Sequence, residues 1–172
     1  MTSLLRALRQ RSVAGVAFML STLSAGLSGC IVGTPWPRIT RSPDDLARQP
    51  VVLVLTRVVV DSANRGEFDR QNRRVLASMA THPGLIGFAA RREVFGNRGW
   101  TMSVWADDEA RVRFVGSAVH SEAMVQSRPS LRSVETRRLT LARQDLPQSW
   151  VQALALLAQP DRLRNYREQD RA

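Results

Sequence analysis

The stretch WTMSVWADDEARVRFVGSAVHSEAM, residues 100–124, contains the pattern that decides the fold of this chain. Its first seven residues alternate, with Thr101, Ser103 and Trp105 on one face and larger apolar residues on the other, which predicts a β-strand. Three consecutive acids at 107–109 follow, and they favour a helix start because carboxylates stabilise the positive end of a helix dipole. We therefore predict a strand over 100–106 and a helix that reaches about residue 126.

Similar patterns predict the other elements on either side of this stretch. Upstream, VVLVLTRVVV at 51–60 is apolar on both alternating faces, which indicates a central strand covered on both sides. A helix follows over 65–81 and a second strand over 85–95, separated by the helix-ending triplet His-Pro-Gly. The predicted helix buries one stripe, formed by Phe68, Val75, Leu76 and Met79.

Downstream, residues 132–142 predict a fourth strand and residues 150–158 a closing amphipathic helix. The order is then β-α-β-β-α-β plus a C-terminal helix, an α+β arrangement of the ferredoxin-like kind. Two crossing helices cover only one face of such a sheet, although the first strand is apolar on both faces. We therefore expect a homodimer in which two sheets pack face to face as an α/β barrel.

The N-terminus has the features of a lipoprotein signal peptide. Arginines at 6, 9 and 11 precede a short apolar segment at 13–23, and Leu-Ser-Gly-Cys at 27–30 resembles the bacterial lipobox. Cys30 is the only cysteine of the chain, so it forms no internal disulfide. We predict a signal peptide over 1–29 and a lipid on Cys30 that attaches the protein to the membrane. The alternative is an ordinary buried cysteine that follows a signal anchor.

The predicted location is the cell envelope, facing the periplasm. By resemblance to sorted lipoproteins, Ile31 after the cysteine favours the outer membrane. Four prolines between 35 and 50 discourage regular structure, so residues 30–50 are predicted to be a tether. The folded domain then occupies residues 51–159, and residues 160–172 form a polar tail.

The net charge of +10 comes from arginine, since the chain contains no lysine. These arginines are scattered and do not form a dense basic run interleaved with aromatic residues, so we do not predict nucleic-acid binding. A basic surface near anionic lipid headgroups is the other interpretation. The sequence has no glycine-rich phosphate loop, no nucleophile elbow and no His/Cys cluster with metal-ligand spacing, so we predict no metal site.

Residues 51–142 resemble the dimeric α/β-barrel domains of the antibiotic biosynthesis monooxygenase superfamily. The resemblance lies in PGLIGF at 83–88, in the strand at 100–105, and in Phe114, Ser117, His120 and Met124 of the following helix. It implies a pocket between the sheet and its helices, and oxygenation of a small aromatic substrate by dioxygen without a cofactor. The heme-degrading members carry a tryptophan where this chain has Phe114 and a histidine where it has Met124, so heme binding is a minor alternative.

The resemblance also implies which side chains form the pocket. His120 is the candidate catalytic acid or base, because histidine exchanges protons near neutral pH. Trp105, Ser103, Phe114 and Arg57 are the candidate substrate-binding residues.

Each candidate has a structural alternative. On a straight helix, His120 lies roughly 120° from Phe114, at the margin of the buried face, unless the helix bends at residues 116–117. Arg57 binds an anionic ligand or pairs with an acid across the sheet, and Trp105 lines a pocket or packs under the next helix. Two functions stay open as well: an enzyme, or a non-catalytic ligand-binding or interaction module at the cell envelope.

Overall fold

The computed structural model describes residues 30–37, 39, 44–159 and 164–165 of the chain. Its strands are β1 (Ile31–Gly33), β2 (Pro50–Val60), β3 (Leu85–Glu93), β4 (Arg98–Trp105), β5 (Leu131–Ala142) and β6 (Arg164–Asn165). Its α-helices are α1 (Asp44–Ala47), α2 (Arg65–Ala80), α3 (Asp108–Val115), α4 (Ala118–Ser127) and α5 (Trp150–Leu157). The elements predicted over 51–158 have ends within about two residues of the expected ones, except that the helix predicted to reach residue 126 is divided into α3 and α4.

The described strands form one antiparallel sheet in the order β1-β3-β4-β2-β5-β6. The β2 strand is central, paired with β4 over residues 52–59 on one side and with β5 along its whole length on the other. The four strands β2 to β5, with α2 and the α3–α4 pair as the two crossovers, give the predicted α+β ferredoxin-like fold.

Both faces of β2 are buried, as its sequence predicts. On one face, Val52 belongs to a cluster with Met79 of α2 and Phe114 of α3. On the other face, Leu53 and Leu55 are 0% and 2% exposed and belong to a larger cluster that includes α5. The core therefore has two layers, one on each side of the sheet.

The second face is not bare, which corrects the reasoning behind the expected dimer. Ala153 and Leu157 of α5 pack on it, together with Trp36 from the segment before β2. Arg137 on the same face donates hydrogen bonds to the backbone oxygens of Leu156 at 2.7 Å and Gln159 at 2.9 Å, so it binds the C-terminal end of α5. The chain covers its own apolar face without a second copy.

The segment predicted to be a tether is largely part of the folded domain, and this corrects the boundary at residue 51. Residues 31–33 form the edge strand β1, which pairs antiparallel with β3. A Cβ atom on Gly33 would lie 2.4 Å from the Ala90 oxygen, so the close approach of β1 to β3 requires glycine. Prolines at 35 and 37 end the strand because proline has no backbone N–H to donate to a neighbouring strand. Trp36 and Ile39 still pack against the core.

The Pro-Gly pair before β3 has a structural role. Gly84 has a φ of 85°, a left-handed conformation that glycine adopts without strain. A Cβ atom there would lie 2.5 Å from that of Ala110, so glycine also allows α3 to pack against this turn. The Gly84 oxygen accepts a hydrogen bond from the Ala106 N–H at 2.8 Å, which holds the end of β4 beside the start of β3.

The helix predicted over 107–126 is two helices. The α3 helix ends at Val115, and Ser117 starts α4 by accepting a hydrogen bond from the His120 N–H at 3.4 Å. Asp107 caps α3 in the same way, through the Ala110 N–H at 2.7 Å. The bend anticipated at residues 116–117 is therefore a complete break with a new cap.

Two predicted segments lie mostly outside the described residues. The signal peptide at 1–29 is one, and the tail at 160–172 is the other, apart from the two-residue strand β6 that pairs with β5. Among the helices that the structure describes, none combines the length and apolar character that crossing a membrane demands.

Candidate functional site

Hydroxyl groups form a row across the sheet on the face covered by α2 and α4. Thr56 on β2 lies opposite Thr101 on β4 and opposite Thr136 on β5. The hydroxyl oxygens of Thr56 and Thr136 are 3.4 Å apart, longer than a typical O–H···O hydrogen bond. Because these hydroxyls are at most weakly bonded to each other, they remain available to a ligand.

Ser103 and Trp105 follow Thr101 at two-residue intervals along β4, so their side chains lie on the same face. The indole N–H of Trp105 donates a hydrogen bond to the Ser103 hydroxyl oxygen at 3.0 Å. Trp105 is 1% exposed and Ser103 is 7% exposed, so the bond satisfies a buried indole donor and sets the orientation of its ring. The Ser103 O–H proton stays free to be donated elsewhere.

The helices above this face contribute mainly apolar side chains. The predicted stripe of α2 is confirmed, since Phe68, Val75, Leu76 and Met79 all face the sheet. Gln71 interrupts this stripe and is buried, with its amide N–H groups donating to Glu67 at 2.7 Å and to Gln126. Helix α4 adds His120, Ala123 and Met124.

A cavity of about 550 Å³ lies between the hydroxyl row and the helices. That volume is in the range of pockets that bind small molecules. Its walls are largely apolar, and both the sheet and the helices contribute polar side chains to them. The sheet side is lined by Val54, Thr56, Val58, Thr101, Ser103, Trp105, Val134 and Thr136.

Four rings form a cluster at one end of the cavity, with Phe114 at its centre. The Phe114 centroid lies 5.2 Å from Trp105, 5.2 Å from His120 and 5.3 Å from His82. His82 packs edge to face against both Phe114 and Trp105, on the side away from the cavity lining. Both histidines of the chain thus contact the same phenylalanine ring.

His120 is half-buried and faces the cavity. Burial lowers the pKa of its imidazole below 6.5, and a hydrogen bond to the Val115 backbone carbonyl partly opposes that effect. The ring is therefore mainly neutral at pH 7, and a neutral imidazole has one donor nitrogen and one acceptor nitrogen.

Four of the five predicted pocket residues come together here, and Arg57 does not. Trp105, Ser103, Phe114 and His120 all line the cavity. Arg57 follows Thr56 on β2, so its side chain lies on the opposite face of the sheet. There it forms an ion pair with Glu135 at 2.5 Å, the structural alternative that its position in an apolar strand left open.

Sequence reasoning missed Thr56, Thr136 and Gln71. Thr56 lies between Leu55 and Arg57, and Thr136 lies between Glu135 and Arg137. Only the strand register shows that the two threonines share a row with Thr101. Gln71 carried a signal, because it lies three residues after Phe68 and four before Val75, inside the buried stripe.

The described part of the chain contains no group of three or more His, Cys, Asp or Glu side chains arranged to hold a metal ion. Cys30 lies outside the cavity, where it is exposed and has a free thiol. This contradicts the alternative of a buried cysteine at that position.

No protein-family model matches the chain, and no curated protein matches it. Solved structures do match. A protein from Bacteroides thetaiotaomicron assigned as an antibiotic biosynthesis monooxygenase is 17% identical, with a TM-score of 0.50 over 58% of this chain and 96% of that one. The cofactor-independent oxygenase SnoaB from Streptomyces nogalater is 26% identical, with a TM-score of 0.47 over 57% and 98%.

A protein from Lactobacillus acidophilus assigned as a monooxygenase is 20% identical, with a TM-score of 0.49 over 56% of this chain. This chain spans 49% of its length, about half. The chain therefore has a ferredoxin-like α+β fold, which it shares with the Bacteroides protein assigned as an antibiotic biosynthesis monooxygenase.

Proposed function

We propose that the chain binds a small, electron-rich aromatic molecule in its cavity and oxygenates that molecule with dioxygen, without a bound cofactor. The observation that supports this best is the cavity of about 550 Å³ with apolar walls, a row of hydroxyls and one half-buried histidine. The resemblance of residues 83–124 to the monooxygenase superfamily provides the reaction type.

The side chains suit the steps of such a reaction. Apolar walls hold the aromatic rings and exclude water, while Thr56, Thr101 and Thr136 bind the substrate oxygens. Neutral His120 accepts a proton from an acidic C–H or O–H of the substrate, which makes the substrate electron-rich enough to reduce dioxygen. A CH₂ carbon loses two hydrogens and gains one oxygen atom as a carbonyl, and the second oxygen atom leaves as water.

Oxygen consumption by the purified chain tests this proposal, with anthrone as the substrate. We expect uptake above the rate without protein, with one oxygen molecule consumed per product molecule. The His120→Gln variant should lower kcat by about 10²-fold or more while anthrone binding is retained. Ser121→Gln is the matched control, because that neighbouring side chain on α4 is exposed.

A second candidate is a non-catalytic ligand-binding module. The observation that favours it is that the described partner of the His120 ring is a backbone carbonyl, not a carboxylate that would raise its basicity. Anthrone binding without oxygen consumption would support this candidate and contradict the enzyme. Failure to bind any aromatic molecule would contradict both.

We also propose that Cys30 is lipidated and holds the domain on the cell envelope, with the outer membrane favoured. The cationic, apolar and lipobox segments before Cys30 support this, as does the exposed thiol. The Cys30→Ala variant should lose labelling by radioactive fatty acid and be released from the membrane fraction. Undiminished membrane attachment in that variant would contradict the anchor.

A further inference from the structure

We propose that the cavity opens toward the membrane at the β1 edge of the sheet and takes up its ligand from the lipid bilayer. The ligand class is then an apolar molecule dissolved among the acyl chains. This inference rests on the proposed lipid anchor at Cys30, and it adds an orientation of the domain and a route of entry.

Cys30 is held against the edge of the sheet by its backbone. Its backbone oxygen accepts a hydrogen bond from the Val94 N–H at 2.7 Å, and Ile31 pairs with Glu93 in the ladder. The pairing of Gly33 with Arg91 continues that ladder. A lipid on Cys30 would therefore start at the edge of the sheet, with no flexible spacer to lift the domain off the bilayer.

The cavity reaches the surface at this edge. Val32 of β1 and Thr34, which follows β1, line the cavity, and Arg92 lines it from β3. Val32 is also 48% exposed, and the Arg92 side chain is 44% exposed. Side chains that line a cavity and are open to solvent mark an opening of it, and this mouth begins two residues after Cys30.

The surface around the mouth carries exposed apolar side chains and exposed arginines. Phe95, in the turn that follows Val94, is 84% exposed, and Ile31 is 50% exposed. The cations here point outward more than their acidic partners: the side chains of Arg92 and Arg98 are 44% and 57% exposed, against 22% for Asp69 and 13% for Glu93. Exposed aromatic and aliphatic groups beside arginines suit the boundary between acyl chains and anionic headgroups.

The lipid bilayer, not a second protein, is the occupant that these features fit. The exposed apolar groups are a few separate side chains, whereas a stable protein interface buries about 800 Å² on each partner. The proposed anchor at Cys30 would also keep the bilayer beside this edge at all times.

The orientation is tested with the full-length chain, purified after expression in a bacterium that acylates lipoproteins and placed in phosphatidylglycerol vesicles with brominated acyl chains. Phe95→Cys introduces a thiol for a fluorescent probe, and Val151→Cys is the control, since Val151 is 80% exposed on α5. We expect bromine to quench the probe at position 95 several-fold more strongly than the probe at position 151.

The number of probes per chain separates the two ways of failing. Lipidation consumes the Cys30 thiol, so each variant should take one probe. Two probes per chain would refute the anchor and, with it, this inference. One probe per chain with equal quenching at both positions would refute the membrane-facing mouth and leave the anchor intact.

The route of entry is tested by the rate at which reconstituted protein takes up anthracene from vesicles, measured as energy transfer from tryptophan. Val32→Arg puts a charge into the apolar mouth and should slow uptake about tenfold. Val112→Arg is the control, because Val112 is 52% exposed on α3 and does not line the cavity. Equal rates for both variants would overturn the proposal. If Val115→Arg slows uptake and Val32→Arg does not, the ligand enters at the C-terminal end of α3, and the proposal is overturned.

Discussion

His120 is the residue on which the chemistry of the cavity depends. Its ring lies 5.2 Å from that of Phe114 and lines the cavity. Burial is the main reason why its pKa is lowered. A neutral imidazole in an apolar wall is suited to accept a proton from a bound molecule, and it is poorly suited to carry a charge of its own.

The lowered pKa of His120 predicts how stability changes with pH. Because the folded-state pKa lies below the unfolded value of 6.5, the unfolded chain binds more protons between those two values. The free energy of unfolding should therefore fall as the pH drops below about 6.5 and stop falling below the folded-state pKa. Urea unfolding at about pH 7.5 and about pH 5.5 measures the effect.

His120→Gln should remove this part of the pH dependence. His82→Gln keeps His120 and should retain it, so the two variants form a matched pair. If the His120→Gln variant loses as much stability on acidification as the unsubstituted chain does, the pH dependence originates in other groups.

The break between α3 and α4 is the element that brings His120 into the cavity. On one straight helix, a position six residues after Phe114 would lie at the margin of the buried face. The chain instead ends α3 at Val115 and restarts at Ser117, whose hydroxyl accepts the His120 N–H. The second helix places His120 in the cavity lining, while Ala118 and Ser121 of the same turn are exposed.

Loss of this cap should weaken α4. We expect Ser117→Ala to lower the free energy of unfolding by about 1 kcal/mol, the usual value of an N-cap. Ser117→Asp should restore most of it, because aspartate is an equally good cap. Ser121→Ala, on the exposed side of the same helix, should change stability by less than about 0.5 kcal/mol. If Ser121→Ala lowers the free energy of unfolding as much as Ser117→Ala does, Ser117 does not act as a cap.

At the scale of the whole molecule, α5 occupies the sheet face that a second copy would need. Leu53, Leu55, Met102 and Val104 are at most 2% exposed on that face, and Ala153 and Leu157 of α5 pack against them. A sheet-to-sheet dimer would have to displace α5 and break the bonds from Arg137 to its C-terminal end. The homodimer stays a prediction, now in competition with this helix.

Removing α5 tests that competition. Deleting residues 147–172 should expose the apolar face and convert a monomer into a dimer in sedimentation experiments, since an apolar face of this kind is stable only when covered. Deleting residues 160–172 alone keeps α5 and should leave the sedimentation coefficient that of a monomer. An intact chain that sediments as a dimer would show that the second copy binds elsewhere or displaces α5.

The sequence by itself determined the order of the elements and most of the cavity wall. Alternation marked the strands, helical spacing marked the stripe of α2, and Pro83-Gly84 marked the turn between them. These patterns depend on residues at most four positions apart, so they are legible without knowledge of the fold. The grouping of Trp105, Ser103, Phe114 and His120 followed from the same local patterns and from the family resemblance.

Only the tertiary structure decided which face of β2 belongs to the cavity. Both faces of that strand are apolar, so the sequence contains no contrast that assigns Thr56 to the cavity and Arg57 to the opposite side. The same holds for the residues before β2: their prolines exclude long regular structure, yet Ile31–Gly33 forms a strand because a distant edge, β3, is there to pair with it. Contacts between residues far apart in the chain, and not local preference, determine both the face assignment of β2 and the formation of β1.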